Sequence, residues 1–180
     1  GEIWVRGPMV MNGYYKNQEA TDEVITPDGW FRTGDLGTCD RHNCYKITGR
    51  CKNVIVTKNG KNIFPEEVEL YLNTNPVIEE SIVYADDVDD ETLVSVQIYP
   101  NYEQIKNNLK RQDITKEDVQ KSVEEAVKDV NKKLPKYKKI RNIEISEQEF
   151  EKTTTKKIKR HANLKNKKEN TETTKVEIEE

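Results

Sequence analysis

Between Lys116 and Lys133 the apolar residues Val119, Val123, Ala126, Val127 and Val130, with Leu134 just beyond, recur at helical spacing among charged and polar neighbours. That spacing predicts one helix with a single apolar stripe, and such a stripe must be covered by a second layer. Plain core packing is the role it calls for. Thr115 with Asp118 resembles an N-capping pair, although Glu or Gln is the usual third residue of that motif. Only 33% of the 180 residues are hydrophobic while 35% are charged, so the covering layer belongs to a small core with heavily solvated surfaces. The length suits one domain, or a domain plus a fragment.

Strand-like segments flank the helix. Glu2 to Arg6 alternates, Asn12-Gly13 marks a turn, and Phe31 to Asp40 with Cys44 to Thr48 reads as a hairpin around Arg41-His42-Asn43. A second unit is expected from about Arg50. Asn53 to Thr57 reads as a short buried strand, followed by a turn at Asn59-Gly60. Pro65 then opens a helix, with Glu66 and Glu67 at its positive end and Val68, Leu70, Tyr71 and Leu72 as its apolar face; Pro76 closes it. Val77 to Ala85 and Glu91 to Tyr99 are expected strands around the acidic turn Asp86 to Asp90. Lys138 to Ser146 is the last expected strand. Beyond His161 the chain is polar and aperiodic, which predicts disorder or an irregular helix.

The net charge of -3 hides an uneven distribution. From Lys132 to Lys168 basic residues outnumber acidic ones by roughly three to one, a tract that could meet RNA, acidic lipid or a polyphosphate. Cys39, Cys44 and Cys51 lack the close pairing of a zinc site, so no metal site is expected and they read as reduced thiols of a cytoplasmic protein. No apolar run approaches the roughly 20 residues of a membrane span, which leaves peripheral membrane association open. The chain opens on the strand-like Gly1-Glu2-Ile3-Trp4-Val5, the mark of a fragment cut from something longer.

Several residues invite two readings. Asp35, between Gly34 and Leu36, either stabilises a turn through its own backbone or accepts two ribose hydroxyls. Arg50 is either a surface arginine at a strand end or a planar grip on ribose or phosphate oxygens. Lys52 stands at the junction of two units, where a hinge would. In Lys58-Asn59-Gly60-Lys61-Asn62 a connector with a left-handed glycine explains Gly60; equally, the turn could line a channel, its lysines approaching phosphates. In Lys152-Thr153-Thr154-Thr155-Lys156-Lys157-Ile158-Lys159-Arg160, Lys157 is part of a solvated basic loop or a cation that neutralises charge during acyl or phosphoryl transfer.

The order of these segments narrows the choice. Gly1 to Thr21, Gly29-Trp-Phe-Arg-Thr-Gly-Asp-Leu-Gly37, Ile47 to Val56, Asn59 to Glu69 and Thr153 to Arg160 together resemble adenylate-forming enzymes, over residues 1 to about 160. Within that superfamily of acyl-CoA synthetases, luciferases and peptide-synthetase adenylation domains, the chain is most similar to long-chain fatty acyl-CoA ligases. The Asn-Gly-Lys-Asn-Ile segment and the Thr-x-Thr-x-Lys-Ile-Lys-Arg ending carry that likeness. Two departures stand out: Lys156 where many relatives carry Gly, and Gln18 where they usually carry Pro.

The resemblance implies an α+β fold, a small mixed sheet with packed helices forming a mobile lid, preceded by a β-rich remnant of a large N-terminal domain. Its boundaries would be 1–49 for the remnant, 50–52 for the hinge, 53–160 for the lid and 161–180 for a polar tail. The implied reaction uses ATP, Mg2+ and CoA: a fatty acid becomes an acyl-adenylate, then a thioester. Asp35 and Arg50 would bind the nucleotide, Lys52 would be the pivot, Lys157 would be catalytic, and Lys58, Gly60 and Lys61 would line the CoA tunnel. Mg2+ would be held mainly by an upstream domain, on which the lid packs. The phosphate loop and acyl pocket would lie upstream of Gly1, so the fragment alone is expected to be inactive. Two alternatives remain: an adenylating enzyme that passes the acyl group to a carrier protein or oxidises it, and a non-enzymatic basic module. The latter would need a nucleic-acid partner, which the lack of interleaved aromatics argues against.

Overall fold

The computed structural model describes residues 1–88, 91–169 and 175–177. It divides into two compact units, Gly1–Val54 and Ile55–Glu180. In the first, β1 (Glu2–Val5) and β2 (Phe31–Cys39) pair antiparallel, and β2 pairs antiparallel with β3 (Tyr45–Arg50), giving the sheet order β1-β2-β3. The expected hairpin is present, with Asn43 in the left-handed region at its tip. Between β1 and β2 lies a helix that residue spacing did not indicate, α1 (Gln18–Val24), capped by the Asn17 side chain on the Ala20 N–H. Seven residues with one buried side chain, Thr21, offer too little periodicity to be read in advance.

The second unit is a sheet with helices packed on one face. β4 (Ile55–Val56) and β5 (Asn62–Ile63) form a two-residue ribbon around the Asn59-Gly60 turn. Ile55 is buried as expected, but Val56 points outward because neighbours along a strand face opposite ways. Helix α2 (Pro65–Leu72) starts on proline at its first position. Its buried residues are Pro65, Val68 and Leu72; of the two others expected on the apolar face, Leu70 lies on the far side of the helix and Tyr71 about a quarter turn off, and both are exposed.

The main sheet runs β6 (Ile78–Val88), β7 (Glu91–Pro100), β8 (Ile140–Ile145) and β9 (Lys175–Glu177), in that spatial order. The β6–β7 and β8–β9 pairs are antiparallel and the β7–β8 pair is parallel, so the sheet is mixed. Strand continues to Val88, and so occupies part of the expected acidic turn; Asp89 and Asp90 lie outside the described residues. The parallel step requires a crossover, made by α3 (Tyr102–Leu109) and α4 (Lys116–Lys133). Helix α3 was not foreseen: it is short, and only Ile105 is buried.

Helix α4 spans the expected residues and closes the capping box, Thr115 with Asp118, in both directions. Its stripe Val119, Val123, Ala126, Val127 and Val130 packs with Val68 and Leu72 of α2 and with Val83, Val96, Ile98 and Ile143 of the sheet in one core. β7 is buried on both faces, Val94 to Ile98 without interruption. Beyond His161, where disorder or an irregular helix is expected, the chain continues the helix α5 (Arg160–Glu169), and β9 pairs with β8.

Candidate nucleotide and lid-loop residues

In the first unit, antiparallel register sets Asp35 opposite Arg50, and the Arg50 Nε donates to Asp35 Oδ1 at 3.2 Å. The Asp35 carboxylate thus meets Arg50, while the turn beside it is held by the Thr33 hydroxyl. The Asp35 backbone N–H donates to Thr33 Oγ1 at 3.1 Å, and Gly34 holds the left-handed φ of +71° that turns the strand. At the same time the Asp35 carboxylate, 29% exposed, reaches a guanidinium that is 64% exposed. Lys52 sits in a single 3-10 turn, Cys51–Asn53, directly after β3 and exposed. Next to it, burial and the Glu2 charge push the Cys51 thiol up, which argues against a reactive thiolate. All three cysteines are free.

In the second unit the Lys58–Lys61 connection closes with Gly60 N–H donating to Thr57 O at 2.8 Å, Gly60 at φ +68°. A Cβ at Gly60 would meet nothing within 4 Å, so its backbone faces open space. Lys61 Nζ lies 4.6 Å from the centre of the Tyr137 ring, a cation–π contact. Tyr137 was not foreseen as a partner; its neighbour Lys138 is nearly buried and pairs with Glu67 at 2.6 Å.

The basic run forms a small hairpin. Lys152 and Ile158 are bridged, Thr153 N–H donates to Lys157 O at 2.8 Å, and Lys157 N–H donates to Thr153 Oγ1 at 3.1 Å. Lys156 is left-handed, φ +60°, a region in which glycine carries no steric cost. The cations divide sharply. Lys152 pairs with Glu80 and Glu149, which push its ammonium up; Lys159 faces Glu151 at 3.8 Å; Arg160 pairs with Glu69 at 2.7 Å. Among the described residues, only the ammoniums of Lys156 and Lys157 in this run have no such partner, and Lys157 is exposed. Part of the basic tract is thus neutralised within the fold, Lys132 by Asp129 included.

Helix α2 links the two loops. Glu67 pairs with Lys138 beside the Lys61–Tyr137 contact, and Glu69 pairs with Arg160 at the foot of the Lys157 hairpin. Positions two apart on a helix are separated by about 200° around its axis. Accordingly the Lys61 turn and the Lys157 hairpin are tied to nearly opposite sides of α2. A cavity of about 580 Å³ lies elsewhere in this unit, among Tyr102, Lys106, Lys116 and Ile145, and contains none of the candidate residues. Among the described residues no cluster of His, Cys, Asp and Glu could hold a metal ion, and no helix is long and apolar enough to cross a membrane.

Comparison with known proteins bears on the same segments. A long-chain-fatty-acid–CoA ligase of Mycobacterium tuberculosis, FadD15, is 48% identical over 86 residues, 48% of this chain and 14% of that protein. Long-chain-fatty-acid–CoA ligase 1 of Saccharomyces cerevisiae is 42% identical over 86 residues, 48% of this chain and 12% of its own length. The matched stretch is therefore a small part of either ligase. Among solved structures, the adenylation domain of a carboxylate reductase from Mycobacterium chelonae superposes with a TM-score of 0.80 at 20% identity, over 94% of this chain and 26% of that one, a likeness of fold. Residues 52–174, which contain the exposed turn, the two-sided α2 and the Lys157 hairpin, match the AMP-binding enzyme C-terminal domain, and the chain belongs to that family.

Proposed function

We propose that this chain is the C-terminal part of an ATP-dependent ligase that joins a long-chain fatty acid to CoA through an acyl-adenylate. The observation that carries this reading is the state of Lys157. It stands exposed on a closed hairpin whose other cations, Lys156 apart, are committed to carboxylates. An unpaired ammonium on a fixed loop suits a site where negative charge appears only during reaction. The names of the two ligases support the acid and the acceptor.

In the first step the fatty carboxylate attacks the α-phosphorus of ATP, and pyrophosphate leaves with the electron pair of the broken P–O bond. Lys157 would bridge the carboxylate and the phosphate or ribose oxygens, offsetting the charge that spreads over the reacting phosphoryl group. Asp35 would accept the ribose hydroxyls, with Arg50 held beside it to donate to the ribose. Mg2+ would be held mainly by the part of the enzyme preceding this chain. In the second step the CoA sulfur attacks the acyl carbon, and AMP leaves. Rotation about Lys52 would then carry Lys157 away and bring the Lys58–Lys61 turn to the pantetheine path. A lid whose two loops lie on opposite sides of α2 is suited to that alternation.

The test separates the half-reactions in the enzyme that contains this chain. Lys157→Ala should lower ATP–pyrophosphate exchange with a long-chain fatty acid on the order of 10²–10³-fold. Thioester formation from supplied acyl-adenylate and CoA should fall far less. Equal losses in both would reject the role given to Lys157. Acylation of a carrier protein in preference to CoA would reassign the acceptor.

A further inference from the structure

Strand β6 is the edge of the main sheet, so among the described residues one side of it has no neighbouring strand. At Val83 that open side is closed by two side chains. The Val83 N–H donates to Glu69 Oε1 at 2.7 Å, and the Val83 carbonyl accepts from Arg160 Nη1 at 2.6 Å. Arg160 Nη2 in turn donates to both Glu69 oxygens, at 2.7 and 2.8 Å. The ion pair thus replaces a missing strand at one residue, and both partners are mostly buried, 14% and 19% exposed. Backbone groups on an open edge need partners, and a mostly buried ion pair bonded to both of them narrows the geometries open to it.

Arg160 stands two residues after Ile158, where the Lys157 hairpin closes. The other leg is tied to the same strand: Lys152 pairs with Glu80 of β6, and the Phe150 N–H lies 3.4 Å from that carboxylate. Asn163 clamps the base by accepting from Glu151 N–H and donating to the carbonyls of Glu151 and Lys159. Fixed feet and a free tip leave Lys157 few positions in which to stand.

We propose that Arg160, through Glu69 and Val83, is a positioning residue for Lys157 and sets where its ammonium meets the reacting phosphate. The proposal rests on the reading of Lys157 given above. A misplacement of about 1 Å at a reacting centre costs on the order of 10²-fold in rate. Lysine at position 160 would keep the charge but lose the planar fork that reaches the carboxylate and the carbonyl together.

Two measurements on Arg160→Lys and Glu69→Gln test it, the milder variants being chosen because they keep the site filled. In the isolated 180-residue chain, trypsin cleavage after Lys156 and Lys157 should accelerate about tenfold as the hairpin opens more often. In the enzyme, kcat for ATP–pyrophosphate exchange should fall at least about tenfold, with KM values little changed and thioester formation from acyl-adenylate retained. Unchanged proteolysis would overturn the latch. Faster proteolysis with normal exchange, or equal loss of both half-reactions, would overturn positioning. If Lys157→Ala itself leaves exchange intact, the catalytic reading of Lys157 is what fails, while the proteolysis result still reports on the latch.

Discussion

Lys156 shows how one backbone angle decides which side chains a loop tolerates. Its φ of +60° lies where L-residues pay a steric cost and glycine does not, and β-branched residues fare worst. Lys156→Val should therefore destabilise the hairpin by about 1–2 kcal/mol, while Lys156→Gly should stay within about 0.5 kcal/mol of the parent. Hydrogen exchange at the Thr153 and Lys157 amides, both bonded inside the hairpin, reports the difference. Faster exchange in the glycine variant than in the valine variant would contradict it. By its local sequence Lys157 is one of several adjacent cations, and only the family resemblance marks it out. Nothing local said that Lys152, Lys159 and Arg160 would find carboxylates and that Lys157 would not.

At the scale of elements, α4 was legible because every signal for it is local: a cap, an 18-residue length and an uninterrupted stripe. Thr115→Ala should lower the unfolding free energy by about 1 kcal/mol, as loss of an N-cap does. Asp118 adds a pH dependence. Its carboxyl is held below the ordinary 3.8 chiefly by the Thr115 backbone N–H, then by the Thr115 hydroxyl and Arg111. A carboxylate with a depressed folded pKa stabilises above its ordinary value and loses that contribution as pH falls through the folded one. Protection of the first-turn amides of α4, relative to the intrinsic exchange rate, should therefore fall below about pH 3.8, and Asp118→Asn should remove that acid dependence. The shorter elements escaped because α1 and α3 each bury a single residue, Thr21 and Ile105. Helix α2 was placed correctly, but Leu70 and Tyr71 were wrongly assigned to its buried face, since hydrophobicity alone does not fix phase on a two-turn helix.

For the second unit as a whole, the mixed sheet sets the response to alkali. Burial raises the Tyr84 phenol well above its ordinary 10.0, and the Glu144 carboxylate on the same face of the sheet adds to the shift. A group with a raised folded pKa gives stability that is full below the unfolded value and is lost as pH rises toward the folded one. The unit should hold its stability to about pH 10.0 and weaken above it; Tyr84→Phe should flatten that decline in denaturant titrations. An equally steep decline in the variant would move the cause elsewhere.

The chain by itself determined whatever depends on neighbours along it: the periodicity of α4, its capping box, the β2–β3 hairpin, and the order of short motifs that marks the family. Only the tertiary structure decided which charges meet. Glu69 and Arg160 are 91 positions apart, and Lys138 and Glu67 are 71 apart. With 30 basic and 33 acidic residues, sequence offers far too many possible pairs to choose among. Hydrogen bonds and close ion pairs act over a few ångströms, so the choice falls to the sheet order and to the helix that brings those groups within reach. The same selection by distance separates Lys157 from its neighbours.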